Sequence, residues 1–453
     1  MTDANLVNLP ATVAAAEIAR GAFSALDYVR AWLDRIAAVE PEIGAFAHVD
    51  AEHAMMQARE RDEYRLSGAT LGPLHGIPVA IKDIIDTRDY PTEFGSPLFA
   101  GRQPQDDATV VAKLRLAGAV ILGKTVTTEF AYFHPGKTRN PHDVTHTPGG
   151  SSSGSAASVA AGMAPLAIGT QTNGSVIRPA SFCGIYGMKP SKGLVSRAGV
   201  LPLSAAVDTV GPFARSLPDL ALLLQTIAGY DAADPDTRPA VVPNFPAFAS
   251  EDFPIPPRFA FMRTPVWGKA EPATQKAFEQ LVEKLGDACI RIDLPGHYAD
   301  AWKAHRTIMA AEMAHNLGAF ADRGGEMISK VLRDLVAEGR AIGAVQYQDA
   351  LDEARAIADS FAGYFQHCNA IIAPSARGGA PKGLDATGDP VFCTLWSLSG
   401  LPSLSLPLLE DADGMPVGVQ LVGAPHDDAR LLRTANWLVQ SVAPKGRRKG
   451  LKS

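Results

Sequence analysis

The chain has 453 residues, with 42 Lys and Arg against 48 Asp and Glu, for a formal net charge of −6. At 46% apolar and 20% charged residues it has a core-forming composition, which excludes disordered, collagenous and coiled-coil classes. The mild acidity gives no general reason to expect binding to nucleic acid or to an anionic membrane. One stretch stands apart: residues 144–177 contain no Asp, Glu, Lys or Arg, where the average predicts about seven. Its Gly, Ser, Ala and Thr do not make the run of about 20 apolar residues that a membrane helix needs.

The first quarter reads as helices. Thr12 to Arg20 and Ser24 to Glu40 carry helical apolar spacing, with stops at Gly21 and Pro41, and Ala51 to Arg65 continues the style. Gly76 to Lys82 then reads as a strand buried on both faces. Asp107 to Ala117 is helical, Ala119 to Leu122 a short strand, Ser153 to Met163 an Ala-rich helix and Leu166 to Gly169 a strand. Strands alternating with helices argue for an α/β sheet. Residues 231–257 hold seven prolines and read as a loop or linker. Helical patterns follow at 273–287, 298–320 and 347–367. Leu401 to Leu408 and Val417 to Val422 read as strands around a turn at Asp413-Gly414, and Asp428 to Val442 as a closing amphipathic helix.

The N-terminal residues include an early acid and no continuous apolar segment, which argues against a secretory signal. Four scattered cysteines without a CxxC pair fit a reduced, cytoplasmic protein. His142 and His146 stand at i, i+4 without an HExxH pattern, so no metal site is expected.

Three segments are candidates for chemistry. Gly118 to Thr125 matches GxxxxGK[ST], but its internal residues Ala, Val, Ile and Leu are themselves a strand. Their N–H groups are committed to neighbouring strands rather than to a phosphate, so Lys124 is read as structural. Gly150 to Gly154 matches GxSxG, yet the lead-in His146 to Gly149 is a turn, and none of His297, His305, His315, His367 or His426 has a recognisable context. The third candidate joins Pro148–Ala157 to Gly169–Ser175. These Gly/Ser segments bracket an Ala-rich helix and an apolar strand, so they are buried loops rather than linkers, and backbone donors held together in this way form an oxyanion site. Lys82 shares a face with Ala80 and Ile84. Buried there it would favour the neutral amine and serve as a base, unless it simply reaches water at the strand's end.

Three blocks, Gly76-IPVAIKD, Gly149-GSSSGSAA and Gly169-TQTNGSVIRPASFCG, together with Ser399-GLPSLSLP and Pro416-VGVQLVG, resemble the amidase signature family. The resemblance covers nearly the whole chain and is weakest over 231–370. It implies a single large α/β domain, spanning 1–445, with a central mixed β-sheet flanked by helices on both sides. Within it, 231–370 is a variable and mainly helical region that shapes the substrate pocket, and 298–367 is a candidate lid. It also implies a Ser–cis-Ser–Lys triad, with Ser175 as nucleophile, Ser151 as bridging serine after Gly150, and Lys82 as base. The N–H groups of Thr172, Asn173, Gly174 and Ser175 form the oxyanion hole. Gly149, Gly150, Tyr132, Phe133 and Trp396 border the substrate. No cofactor and no metal are implied.

Three positions depart from the common pattern of the family: Gln171 replaces an Asp, Asn173 replaces a Gly, and the Arg that follows the nucleophile is displaced to Arg178 by Ile177. On these departures the chain reads as a free-standing bacterial amidase for small aryl or alkyl amides rather than the glutamine-using component of a tRNA amidotransferase. Carbamates, ureas and esters are alternative substrates. The partner expected is a small-molecule amide, without nucleic acid or membrane, and a homodimer is left open.

Overall fold

A computed structural model describes residues 6–253 and 255–442. Eleven strands carry the architecture: β1 (Phe46–Val49), β2 (Pro78–Lys82), β3 (Val120–Thr125), β4 (Leu166–Gln171), β5 (Tyr186–Lys189), β6 (Thr209–Ala214), β7 (Phe259–Arg263), β8 (Cys289–Asp293), β9 (Ala370–Pro374), β10 (Ser403–Glu410) and β11 (Pro416–Val422). They form one mixed sheet in the order β1-β3-β2-β4-β6-β5-β10-β11-β9-β7-β8. β2 runs parallel to both β3 and β4, whereas β6 is antiparallel to β4. Strands β2, β3, β4 and β6 are buried along their whole length, which is why β2, β3 and β4 read as apolar runs rather than as alternating ones. This is the single α/β domain that the family resemblance implies.

Most predicted elements are present with shifted ends. The helix predicted to stop at Pro41 runs through it, over Ala25–Ile43, and ends at Gly44, whose φ of 64° suits glycine. A proline in the last turn removes one donor without ending the helix. The proline-rich 231–257 is not a simple linker. It contains the Phe245–Ser250 helix, which buries Phe245 and Ala249 against the Leu217–Ile227 and Asp428–Val442 helices. The region beyond it, up to β9, holds the helices Pro272–Leu285, Asp300–Gly324, Lys330–Ala341 and Ala344–Ser360, of which the third has no counterpart among the predicted elements. Among the described residues no helix is long and apolar enough to cross a membrane.

The register places the ends of β2 and β4 side by side. Ile81 pairs with Ile168, so Lys82 and Gly169–Gln171 lie side by side at the carboxyl ends of two parallel strands. Ligand crevices in α/β sheets open at such ends. The short Ser153–Ala160 helix lies against these strands. Gly154 makes that approach possible, because a Cβ there would sit 2.1 Å from Ala45 O and 2.4 Å from Val126 N. Gly154→Ala is therefore expected to destabilise the fold by about 3 kcal/mol, the upper range for overpacking. A urea unfolding midpoint indistinguishable from that of the parent would show that the helix can shift freely.

Candidate active site

Lys82 is fully buried at the end of β2, between the two Ser-rich segments. Its Nζ donates to Ser151 Oγ and to Thr170 Oγ1, each at 2.7 Å. Burial pushes its pKa well below the ordinary lysine value, and Asp208 opposes this only in part. The peptide bond between Gly150 and Ser151 is cis. Ser151, Ser175 and residues 172–174 line one cleft, together with Tyr132 and Phe133. The Asp300–Gly324 helix contributes Met309 and Met313 to the same cleft.

The loop that precedes Ser175 has a consistent polarity. Its carbonyls are tied back into the protein: Thr172 O accepts from His305 Nε2 at 3.1 Å, Asn173 O from Ser397 Oγ, Gly174 O from Arg178 N at 2.9 Å, and Ser175 O from Ser152 N at 3.4 Å. The N–H groups of residues 172–175 have no partner among the described residues. Four consecutive unpaired donors on the wall of a cleft are what a developing oxyanion requires.

Gln171 fixes the next turn, its Oε1 accepting from Val176 N at 2.8 Å and Ile177 N at 3.0 Å, while its Nε2 donates to Ser397 Oγ. A carboxylate could accept those two bonds but could not make the third. Asn173 Oδ1 accepts from Thr394 Oγ1 at 2.9 Å, and Thr172 Oγ1 donates to Asp208 at 2.7 Å. His305 is buried, and burial lowers its pKa to about 4, so its neutral ring holds the loop carbonyl. His305, Ser397, Thr394 and Asp208 come from segments far from the serines in sequence, and no spacing signal marks them.

The two competing motifs are structural. Lys124 lies on β3 and its Nζ donates to Ile85 O at 2.9 Å and Pro91 O at 3.1 Å, beside Asp83 at 3.4 Å. Burial lowers its pKa to about 8 against the pull of Asp83. Ser152, the central serine of GxSxG, donates to Thr170 O and accepts from Thr170 N, so it is committed to the backbone. No group of three or more His, Cys, Asp or Glu stands in a metal-holding arrangement among the described residues.

Of the residues expected at the substrate, Tyr132 and Phe133 line the cleft, and Tyr132 Oη accepts from Arg306 Nη1 at 2.7 Å. Trp396 does not line it. It is wholly buried against Phe361, with ring centroids 5.3 Å apart, in a separate apolar cluster. Thr394 and Ser397, one turn apart on the Thr394–Leu398 helix, both bond Asn173 of the 172–175 loop; Trp396 sits between them and points elsewhere. Gly149 and Gly150 are positions of close packing. A Cβ would lie 2.9 Å from Pro179 Cα at Gly149 and 2.9 Å from Thr387 Cγ2 at Gly150.

The family model described as Amidase matches residues 27–432. The chain is 36% identical to the A subunit of glutamyl-tRNA(Gln) amidotransferase from Salinispora arenicola, over 98% of this chain and 99% of that protein. It is equally identical to the corresponding protein of Chloroflexus aurantiacus, over 95% and 96%. Among solved structures it resembles a chain of the vestigial protein complex that reveals the evolutionary origins of an s-triazine catabolic enzyme, at 30% identity and a TM-score of 0.89 over 96% of this chain and 99% of that one. The peptide amidase of Stenotrophomonas maltophilia is 31% identical, with a TM-score of 0.83 over 95% and 96%.

These findings correct two expectations. The free-standing amidase for small aryl or alkyl amides rests on three substitutions around the nucleophile, whereas similarity to the amidotransferase proteins runs along nearly the entire chain. Gln171 supplies a side-chain oxygen to the loop, so its neutrality is a local variation and no mark of substrate class. The expectation of no nucleic acid rests on the net charge, which describes the average surface, and that of a small-molecule amide on the same three substitutions; these relatives belong to an amidotransferase of glutamyl-tRNA(Gln). From the matched model, the relatives and the solved structures together, the chain belongs to the amidase signature family and is an amidohydrolase acting on carbon–nitrogen bonds.

Proposed function

We propose that this chain is the amide-hydrolysing component of an amidotransferase that acts on glutamyl-tRNA(Gln), drawing nitrogen from glutamine and working with partner chains. The observation that carries this reading is the 36–37% identity to the A subunits of that enzyme over 92–98% of this chain. The amidase domain runs over 1–445, and 231–370 within it shapes the pocket through the Asp300–Gly324 helix. The setting is cytoplasmic, in keeping with four buried, unpaired cysteines.

In the chemistry we assign, neutral Lys82 takes the proton of Ser151 Oγ as Ser151 takes that of Ser175, and Ser175 Oγ bonds to the amide carbon. The carbonyl oxygen gathers charge against the N–H groups of Thr172, Asn173, Gly174 and Ser175. Collapse of the adduct breaks the C–N bond as Ser151 gives its proton to the nitrogen and takes back the one held by Lys82, and ammonia leaves. Water, deprotonated through the same pair, then releases the acid from Ser175. The 2.7 Å contact of Lys82 with Ser151 supports this relay.

The test is to put this chain in place of its counterpart in reconstituted glutamyl-tRNA(Gln) amidotransferase from Chloroflexus aurantiacus. Glutamine-dependent amidation of glutamyl-tRNA(Gln) is expected. If glutamine remains intact both in that assembly and with the chain alone, the reading is wrong.

A further inference from the structure

Arg178 is 2% exposed and lines the cleft that holds Ser151 and Ser175. Its Nη2 donates to Gly150 O at 2.7 Å and to Thr387 Oγ1 at 3.1 Å. Its Nε and Nη1 are buried and have no partner, and no carboxylate lies within 4.0 Å of it among the described residues. Asp389 acts on it only at a distance, and burial lowers its pKa to about 10, so the group remains a cation at neutral pH. The Phe133 ring lies 5.9 Å from the guanidinium carbon and covers one side. A buried cation that leaves donors unused is costly unless an anion arrives to pair with it.

The position of Arg178 fixes how far that anion is from the reacting carbon. Arg178 N donates to Gly174 O, closing a turn that holds Ser175 and Arg178 three residues apart, and both side chains line the same cleft. Two functional groups on so short a stretch of one wall suit a substrate with a few carbons between its amide and its anion. We propose that Arg178 is a specificity-determining residue whose free N–H groups bind a carboxylate on the amide substrate, a short chain away from the amide that Ser175 attacks. Glutamine has this constitution, and the assignment rests on the reading of Ser175 as nucleophile. Here the displaced arginine of the motif defines the donor.

The competing role for Arg178 is to anchor Gly150 O, which would affect every substrate alike. Ammonia release from glutaramate, glutamine and butanamide is therefore measured for the parent and for Arg178→Met. The parent is expected to favour glutaramate over butanamide at least 100-fold in kcat/KM. In Arg178→Met that ratio is expected to fall at least 50-fold, chiefly through KM. If the variant slows both amides in proportion, the proposal is overturned. Glutaramate preferred by the parent with glutamine untouched would keep Arg178 as the carboxylate site and remove glutamine as donor. Glutamine turned over with no change of ratio in the variant would do the reverse. Calorimetric titration of glutaramate into Ser175→Ala and Ser175→Ala/Arg178→Lys reads the same contact without turnover: binding at least tenfold weaker in the double variant is expected, and undetectable or equal binding overturns the proposal.

Discussion

Ser175→Ala is expected to lower ammonia release from glutamine by about 10⁵–10⁶-fold, the loss seen when a catalytic serine is removed from a cooperating set. A factor of 10⁵ corresponds to about 7 kcal/mol of transition-state stabilisation. The residual rate would come from the N–H groups of residues 172–175, which the substitution leaves in place. The side chain of Ser175 makes no hydrogen bond to another side chain or to the backbone among the described residues, so its removal orphans nothing. Unfolding midpoint and glutamine affinity should therefore match the parent within about twofold. A variant that keeps more than a hundredth of the parental turnover would show that another group attacks the amide.

Lys82→Met is expected to lower kcat by about 10³–10⁴-fold, within the range for loss of a positioned general base. The pH dependence gives the stricter test. The lysine is held below its ordinary pKa by burial, so it is the neutral amine at any pH above its folded value and the ammonium below it. The parental rate should rise with pH through the folded pKa of Lys82 and level off above it. In Lys82→Met this acid limb should vanish along with the activity. Stability carries the same sign. Between the depressed folded pKa and the unfolded value near 10.4 the unfolded chain binds more protons, so parental stability rises with pH across that window. The methionine variant should lose that slope. An acid limb that persists unchanged in the variant would assign the titration to another group.

Much of the site is legible in the chain alone. The charge-free run 144–177 marks the two loops that meet Lys82, since a carboxylate beside the lysine would favour its protonated form. The apolar run ending at Lys82 identifies β2 because both faces of that strand are covered. The same logic sets aside the phosphate loop, as the residues between Gly118 and Gly123 are themselves strand, and sets aside Ser152 for want of a strand before it. Strands β5 to β9 leave no such mark, because four to six residues of mixed pattern carry too little periodicity to separate from loop.

The sequence by itself determined an α/β sheet and pointed to Lys82 and the two Ser-rich segments, because burial leaves its mark in local composition and order, while the mixed sheet and the particular serines came from the resemblance to the amidase signature family. Only the tertiary structure decided what holds the 172–175 loop and which side chains line the cleft. His305 and Ser397 reach that loop from 133 and 224 residues away, a distance at which no periodic signal survives. Trp396 belongs outside the cleft because its helix turns Thr394 and Ser397 toward the loop and the indole away from it. Gln171 looks in the sequence like a change of charge, but its contacts show an acceptor retained with a donor added. Arg178 looks like a displaced residue, and it is the burial of its two unpaired nitrogens, set by the fold around it, that makes it a candidate receptor for a carboxylate.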